Sequence, residues 1–233
     1  MKSTLASKER DGFVQNMHWP FFGSFMQQTP QAVLSINRLL NDNDFRRIIE
    51  IGTHDAGLSM FLALYCNLSK RNPQQNSPVS YKVTTTAKTP KDFFTFDIMV
   101  RDESMTDLIL RLGGHAIIQD VFESSCISNL RNLIQEPGKT LLLCDGGNKQ
   151  KEFLTYCSAL KVGDVIMAHD YAKDTASFAS VKERGIWHGW ETKWENDTSD
   201  DFGLKDICDA NGISQVHADE FDDSVWFAGE KTR

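Results

Sequence analysis

Five acids recur within or after short apolar runs, and what they can do depends on whether those runs end together. Glu50 lies inside Ile48-Ile49-Glu50-Ile51, and Asp97 closes Phe93-Phe94-Thr95-Phe96. Asp120 follows Ala116-Ile117-Ile118-Gln119, Asp145 follows residues 140–144, and Asp170 follows Val165-Ile166-Met167-Ala168-His169. In an open parallel sheet, ligands sit outside the carboxyl ends of the strands, so such runs would bring all these acids to one rim. Carboxylates that close repel one another unless they bind donors or a cation. Asp145 and Asp170, expected on adjacent strand ends, could hold one Mg²⁺, a hard cation that prefers oxygen ligands.

A second signal is the stretch from Arg46 to Ser59, which reads as a strand, a glycine turn and the start of an apolar helix. Glycines at such a turn let the backbone approach a ligand above exposed helix N–H groups. Gly52 and Gly57 match the outer two glycines of a dinucleotide fingerprint, but the middle position is His54. An imidazole there would crowd a diphosphate, which disfavours a nicotinamide-dependent oxidoreductase. A ligand without phosphates, such as S-adenosylmethionine, needs no such room. His54 could equally line the pocket or cap the helix. Asp97 stands where these folds hold ribose hydroxyls, and capping a turn explains it equally well.

These residues need elements to position them. Thr29-Pro30 predicts a helix start, with Val33, Ile36, Leu39 and Leu40 on one face. Further helices are expected over 58–68 and around Met105–Leu112, Ile127–Ile134 and Phe153–Leu160, separated by the strand runs named above. Late strands are expected at 214–218 and 224–229, after a helix near 203–211. The pattern predicts an α/β, Rossmann-like, doubly wound sheet. It is mostly parallel and seven-stranded, with an antiparallel edge hairpin and helices on both faces. Residues 29–233 read as a single domain with an insertion at 69–91, preceded by an N-terminal arm or lid at 1–28. The arm is rich in aromatic residues (Phe13, Trp19, Phe21, Phe22, Phe25). Covering the core edge or a second subunit is the simpler use for it, and a lid over the cleft is the other. Trp187, His188, Trp190 and Trp194 could line an acceptor pocket, although burying a sheet edge is the commoner use of such a cluster.

The 233 residues are 40% hydrophobic and 24% charged, an ordinary globular composition, with a net charge of −7. That charge lacks the basic surplus of a nucleic-acid surface, and no apolar run approaches a membrane span. The cysteines, Cys66, Cys126, Cys144, Cys157 and Cys208, are odd in number and unpaired in spacing. They read as buried thiols of a reducing cytoplasm rather than a disulfide framework or a zinc site.

Several motifs together carry a resemblance. They are Gln28-Thr29-Pro30, Ile49-Glu50-Ile51-Gly52-Thr53-His54-Asp55-Ala56-Gly57, the acid-closed second strand, Asp145-Gly146-Gly147-Asn148, and the segment 160–170 ending in His169-Asp170. Over residues 20–175 the chain resembles the class I S-adenosylmethionine-dependent methyltransferases, within them the cephalosporin hydroxylase-like and macrolide-sugar O-methyltransferase group. The resemblance implies that Glu50, Gly52, Thr53, His54, Gly57 and Ser59 shape the methionine side of a cofactor pocket. Asp97 would hold the ribose, Asp120 and Val121 would border the adenine, and Asp145 would complete the pocket. It implies a divalent metal, Mg²⁺ first, held by Asp145, His169 and Asp170, although imidazole is a poor Mg²⁺ ligand. It places catalysis at Asp145, His169 and Asn148, where Asn148 stands in the position of the group's usual histidine base. The implied reaction is metal-assisted O-methylation of a small-molecule or sugar hydroxyl by a homo-oligomer. A methyltransferase fold retained as a binding or oligomerisation module is the non-catalytic alternative.

Overall fold

Short β-branched and aromatic runs alternate with amphipathic stretches, and each run becomes a strand packed on both faces. The computed structural model describes residues 19–70, 91–172, 204–221 and 224–233. It opens with a small hairpin, β1 (Trp19–Phe21) and β2 (Ser24–Met26), followed by helix α1 (Pro30–Asp42). Then come β3 (Phe45–Ile51), α2 (Gly57–Lys70), β4 (Asp92–Asp97), α3 (Glu103–Arg111) and β5 (His115–Ile118). The chain continues through α4 (Ser124–Gln135), β6 (Lys139–Cys144), α5 (Lys149–Tyr156), a 3₁₀ turn at Cys157–Ala159 and β7 (Val165–His169). The final elements are α6 (Leu204–Asn211), β8 (Ile213–Gln215), α7 (Ala218–Phe221) and β9 (Trp226–Lys231).

Seven strands form one sheet in the order β5-β4-β3-β6-β7-β9-β8. Strands β3 to β7 are parallel, whereas β9 runs antiparallel to both β7 and β8. The expected mixed sheet with an antiparallel edge pair is therefore present. Growth of the sheet reverses at β3: β4 and β5 lie on one side, β6 and β7 on the other. Such a reversal opens a crevice at the strand ends, the usual ligand position in these sheets.

The pleat distributes side chains to two cores. Ile48, Leu141, Leu143 and Met167 pack under α1, α2 and α3. Ile49, Leu142, Cys144 and Ile166 face α4 and α5 on the other side. Both faces are covered, which is why these strands read as continuous apolar runs instead of alternating ones. The five cysteines are free and buried, as their isolated positions predict. Among the described residues no helix is long and apolar enough to cross a membrane.

Some boundaries differ from expectation. Helix α5 begins at Lys149, a full turn ahead of its first apolar residue, Phe153. The strand expected at 214–218 stops at Gln215, because His217 turns into the left-handed region (φ 54°) and Ala218 opens α7. The last strand begins at Trp226, after Val225 takes φ 57°. The aromatic arm contributes the unforeseen hairpin, whose Phe22-Gly23 turn has φ 51° and 86°, the twist that suits a two-residue hairpin loop. Met26 is buried and Trp19 and Phe21 pack against the core, while Phe22 and Phe25 stay exposed. Residues 1–18, 71–90 of the expected insertion, and the tryptophan cluster at 187–194 lie outside the described residues.

Candidate active site

The first turn of the site is held open by backbone, and its glycines serve packing. Gly52 has φ 98°, and a Cβ there would lie 2.3 Å from the Asp145 carbonyl oxygen. Its N–H donates to Phe96 O (2.8 Å), and Asp145 N–H donates to Ile51 O (2.9 Å), so three strand ends are tied together at this point. Gly57 has a different neighbour: a Cβ would lie 2.4 Å from Phe25 O of the hairpin. The glycines therefore admit other segments of the chain to close approach. Between them His54 and Ala56 take φ 44° and 65°, a conformation unfavourable to L side chains that is typically retained at functional turns.

Around that turn lies a cavity of about 720 Å³, set against the carboxyl ends of β3, β4, β6 and β7. Glu50, Gly52, Thr53, His54, Gly57, Asp97, Asp120, Val121, Asp145, Asn148, His169 and Asp170 all line it. Ser59 is the exception. Its hydroxyl is buried and donates to Glu50 Oε2 instead of facing the cavity.

On the β3–β4 side, a relay of hydroxyls ends on Glu50. Thr95 Oγ1 donates to Glu50 Oε2 (2.7 Å), and Thr53 and Thr95 hydroxyls are 2.6 Å apart. A hydroxyl has one proton, so Thr53 must donate to Thr95. Burial raises the Glu50 carboxyl to about 8, against the pull of the Ser59 and Thr95 hydrogen bonds, with Asp145 and Asp97 adding repulsion. Glu50 is thus a proton-bearing acid at neutral pH. Asp97 accepts from His54 N (2.9 Å) through one oxygen and from Ile98 N (2.7 Å) through the other. Asp97 therefore caps the turn, and it also lines the cavity. Asp120 similarly accepts from Phe122 N (2.9 Å).

On the β6–β7 side the carboxylates are engaged. Asp145 Oδ2 accepts from Gln28 Nε2 (2.7 Å), and its Oδ1 lies 2.9 Å from His169 Nδ1. Asp170, at φ 62°, puts Oδ2 2.6 Å from Lys149 Nζ and Oδ1 3.3 Å from His169 Nδ1. Burial alone would lower the His169 and Lys149 pKa values, but Asp145 and Asp170 more than offset it and raise both. For Asp170, burial would raise the carboxyl, yet His169 and Lys149 hold it below its ordinary value. His169 Nε2 is buried with no hydrogen-bond partner among the described residues, and its ring packs 4.8 Å from that of Trp226.

This arrangement does not fit the divalent metal expected at Asp145, His169 and Asp170. The carboxylate oxygens already face Gln28, His169 and Lys149, and the imidazole turns its Nδ1 to the acids instead of to a shared centre. Among the described residues no cluster of three or more His, Cys, Asp or Glu is disposed to hold a metal ion.

Asn148 also has a different occupation. Its side chain accepts from Lys151 N (3.0 Å) as the N-cap of α5. Glu152 reaches back to Asn148 N and Gly146 N (both 3.1 Å), a reciprocal cap that leaves no room for a Cβ at Gly146. Burial pushes the Glu152 carboxyl to about 7.

Gln28 and Lys149 line the cavity and were not assigned from sequence. Gln28 donates to Asp145 and accepts from Trp226 Nε1 (2.8 Å), joining the end of the N-terminal segment to β9. Lys149 is only 5% exposed. A signal for it existed: counting back one turn from Phe153 along the buried stripe of α5 lands on Lys149.

No protein-family model matches the chain, and no curated protein matches it. Solved structures do. One is an O-methyltransferase from Bacillus cereus in complex with SAH, 12% identical, spanning 99% of this chain and 90% of that one, with a TM-score of 0.50. Another is cofactor-bound Rv0187 from MTB, 12% identical, over 97% of this chain and 88% of that one, also with a TM-score of 0.50. MycE methyltransferase from the mycinamycin biosynthetic pathway, in complex with Mg and SAH, is 13% identical with a TM-score of 0.45. The match takes in 92% of this chain, which spans half the length of MycE. At these identities what is shared is the architecture. The match to the Bacillus cereus structure runs over nearly the whole chain, and the seven-stranded, mostly parallel sheet is a methyltransferase fold.

Proposed function

We propose that the chain is an S-adenosylmethionine-dependent methyltransferase that methylates a hydroxyl of a small-molecule or sugar acceptor. The observation that carries this reading is the single hollow that Glu50, the Gly52 turn, Asp97, Asp120 and Asp145 share on this fold. In it, the Gly52–Gly57 turn takes the methionine end, Asp97 the ribose hydroxyls, and Asp120 with Val121 the adenine edge. A protonated Glu50 adds no second negative charge beside Asp145, so the turn accommodates a zwitterionic amino-acid group.

The chemistry asks mainly for alignment, because a methyl sulfonium is already a strong electrophile. The acceptor oxygen attacks the methyl carbon, the carbon–sulfur pair returns to sulfur, and the acceptor proton leaves to the Asp145 carboxylate. Gln28 and His169 hold the Asp145 carboxylate in one orientation for that transfer. Asn148 supports the site as a helix cap.

The test is a thermal-shift comparison of S-adenosylhomocysteine with NAD, followed by mass-spectrometric detection of methylated product across an acceptor panel. We expect stabilisation by S-adenosylhomocysteine alone, lost in Asp97→Ala. Stabilisation by NAD and not by S-adenosylhomocysteine would replace this reading with the oxidoreductase one. The engagement of Asn148 as a cap favours one other outcome, cofactor binding without turnover, which would make the chain a binding module.

A further inference from the structure

A lysine 5% exposed at the wall of a ligand cavity is unusual, because desolvating an ammonium is costly unless a specific partner holds it. Lys149 has that partner in Asp170, at 2.6 Å, and its position is fixed by the fold. It is the first residue of α5, directly after the Asp145 turn, and shares the buried stripe with Glu152, Phe153 and Tyr156.

Opposite it, Asp145 and Asp170 emerge from β6 and β7, neighbouring parallel strands in register at Cys144 and Ala168. A buried Asp170 carboxylate beside a partly exposed Asp145 carboxylate favours positive charge at these strand ends. Elsewhere a bound dication can supply it. Here a side chain of the chain itself is already in contact, and a dication would have to displace the ammonium from Asp170.

We propose that Lys149 is the resident cation of this site, holding Asp170 with its ammonium while His169 Nδ1 lies between Asp145 and Asp170, so that the site is complete without metal. The inference rests on the methyltransferase reading only for its catalytic consequence, a transfer insensitive to chelators. The exclusion of metal rests on the contacts alone. Removing the ammonium should free Asp170 and leave two carboxylates with an imidazole beside them, a donor set that suits a transition metal.

The test is Mn²⁺ titration of the full chain followed by electron paramagnetic resonance, which reads bound ion without cofactor or turnover. The wild-type chain is expected to bind no Mn²⁺, and Lys149→Gln to take up about one ion per chain, lost again in Lys149→Gln/Asp145→Asn. Stoichiometric Mn²⁺ on the wild-type chain that disappears in Asp145→Asn would overturn the proposal, whether or not any Lys149 variant folds. So would a Lys149→Gln chain that melts cooperatively and binds no Mn²⁺. S-adenosylhomocysteine thermal shifts are scored separately on the same samples. Their absence would remove the methyltransferase reading and leave the Mn²⁺ result standing.

Discussion

Replacing Glu50 by glutamine tests the electrostatics of the hollow directly. Burial raises this carboxyl from 4.5 to about 8, a displacement equivalent to roughly 5 kcal/mol between its two protonation states. Between about pH 4.5 and about pH 8, the native chain keeps the proton that the unfolded chain has released. Stability must therefore fall as pH rises through that window, and level off above it. Glutamine keeps a carbonyl oxygen for the Ser59 and Thr95 hydroxyls but never ionises, so Glu50→Gln escapes the fall. Glu152, raised to about 7, contributes the same trend to both proteins and cancels in the difference. Urea denaturation followed by circular dichroism should give near-equal stabilities at about pH 5, with Glu50→Gln ahead by about 2–5 kcal/mol at about pH 8.5. The upper figure assumes a rigid interior, and local relaxation brings it down. Parallel pH curves for the two proteins would mean that Glu50 is ionised in the fold, and the argument from burial would fail.

Two further substitutions separate support from chemistry. Asn148→Ala removes the acceptor for Lys151 N and should cost about 1 kcal/mol in urea denaturation with S-adenosylhomocysteine binding unchanged. Unaltered stability with abolished turnover would instead give Asn148 a catalytic role. Gln28→Ala strands the buried Trp226 Nε1 donor and frees one oxygen of Asp145, so a loss of about 2–4 kcal/mol is expected by thermal or urea unfolding. A melt matching wild type would show that the bridge is dispensable.

The alternation of strands and helices was legible because parallel strands buried on both faces leave unbroken apolar runs, such as residues 140–144, between amphipathic stretches. The acids at the strand ends were legible for the same reason: once the runs are parallel, Asp97, Asp145 and Asp170 must share a rim. The ionic partners of those acids were not. Lys149 is charged at a position where the buried stripe of α5 would ordinarily be apolar, so its face is apparent only after Phe153 and Tyr156 are fixed. Strand-end acids by themselves point to a metal, because the cations that neighbouring helices bring to them do not show in the strand runs. The hairpin escaped detection because its strands have three residues each, too few for a period, and its turn uses Phe22 at a φ that phenylalanine rarely adopts. Gly52 and Gly57 were legible as a turn of close approach; the chain segments that approach them, at Asp145 and Phe25, were not.

The bridge at Gln28 has a consequence for how the molecule comes apart. Trp19 Nε1 donates to Gln28 O, while the Gln28 side chain spans Asp145 and Trp226, so residues 19–28 are stitched to the final strand beside the hollow. A protease nick ahead of Thr29 would release that stitch and expose the rim without touching the sheet. Conversely, any compound that settles in the hollow and tightens the stitch should shield these early residues from digestion.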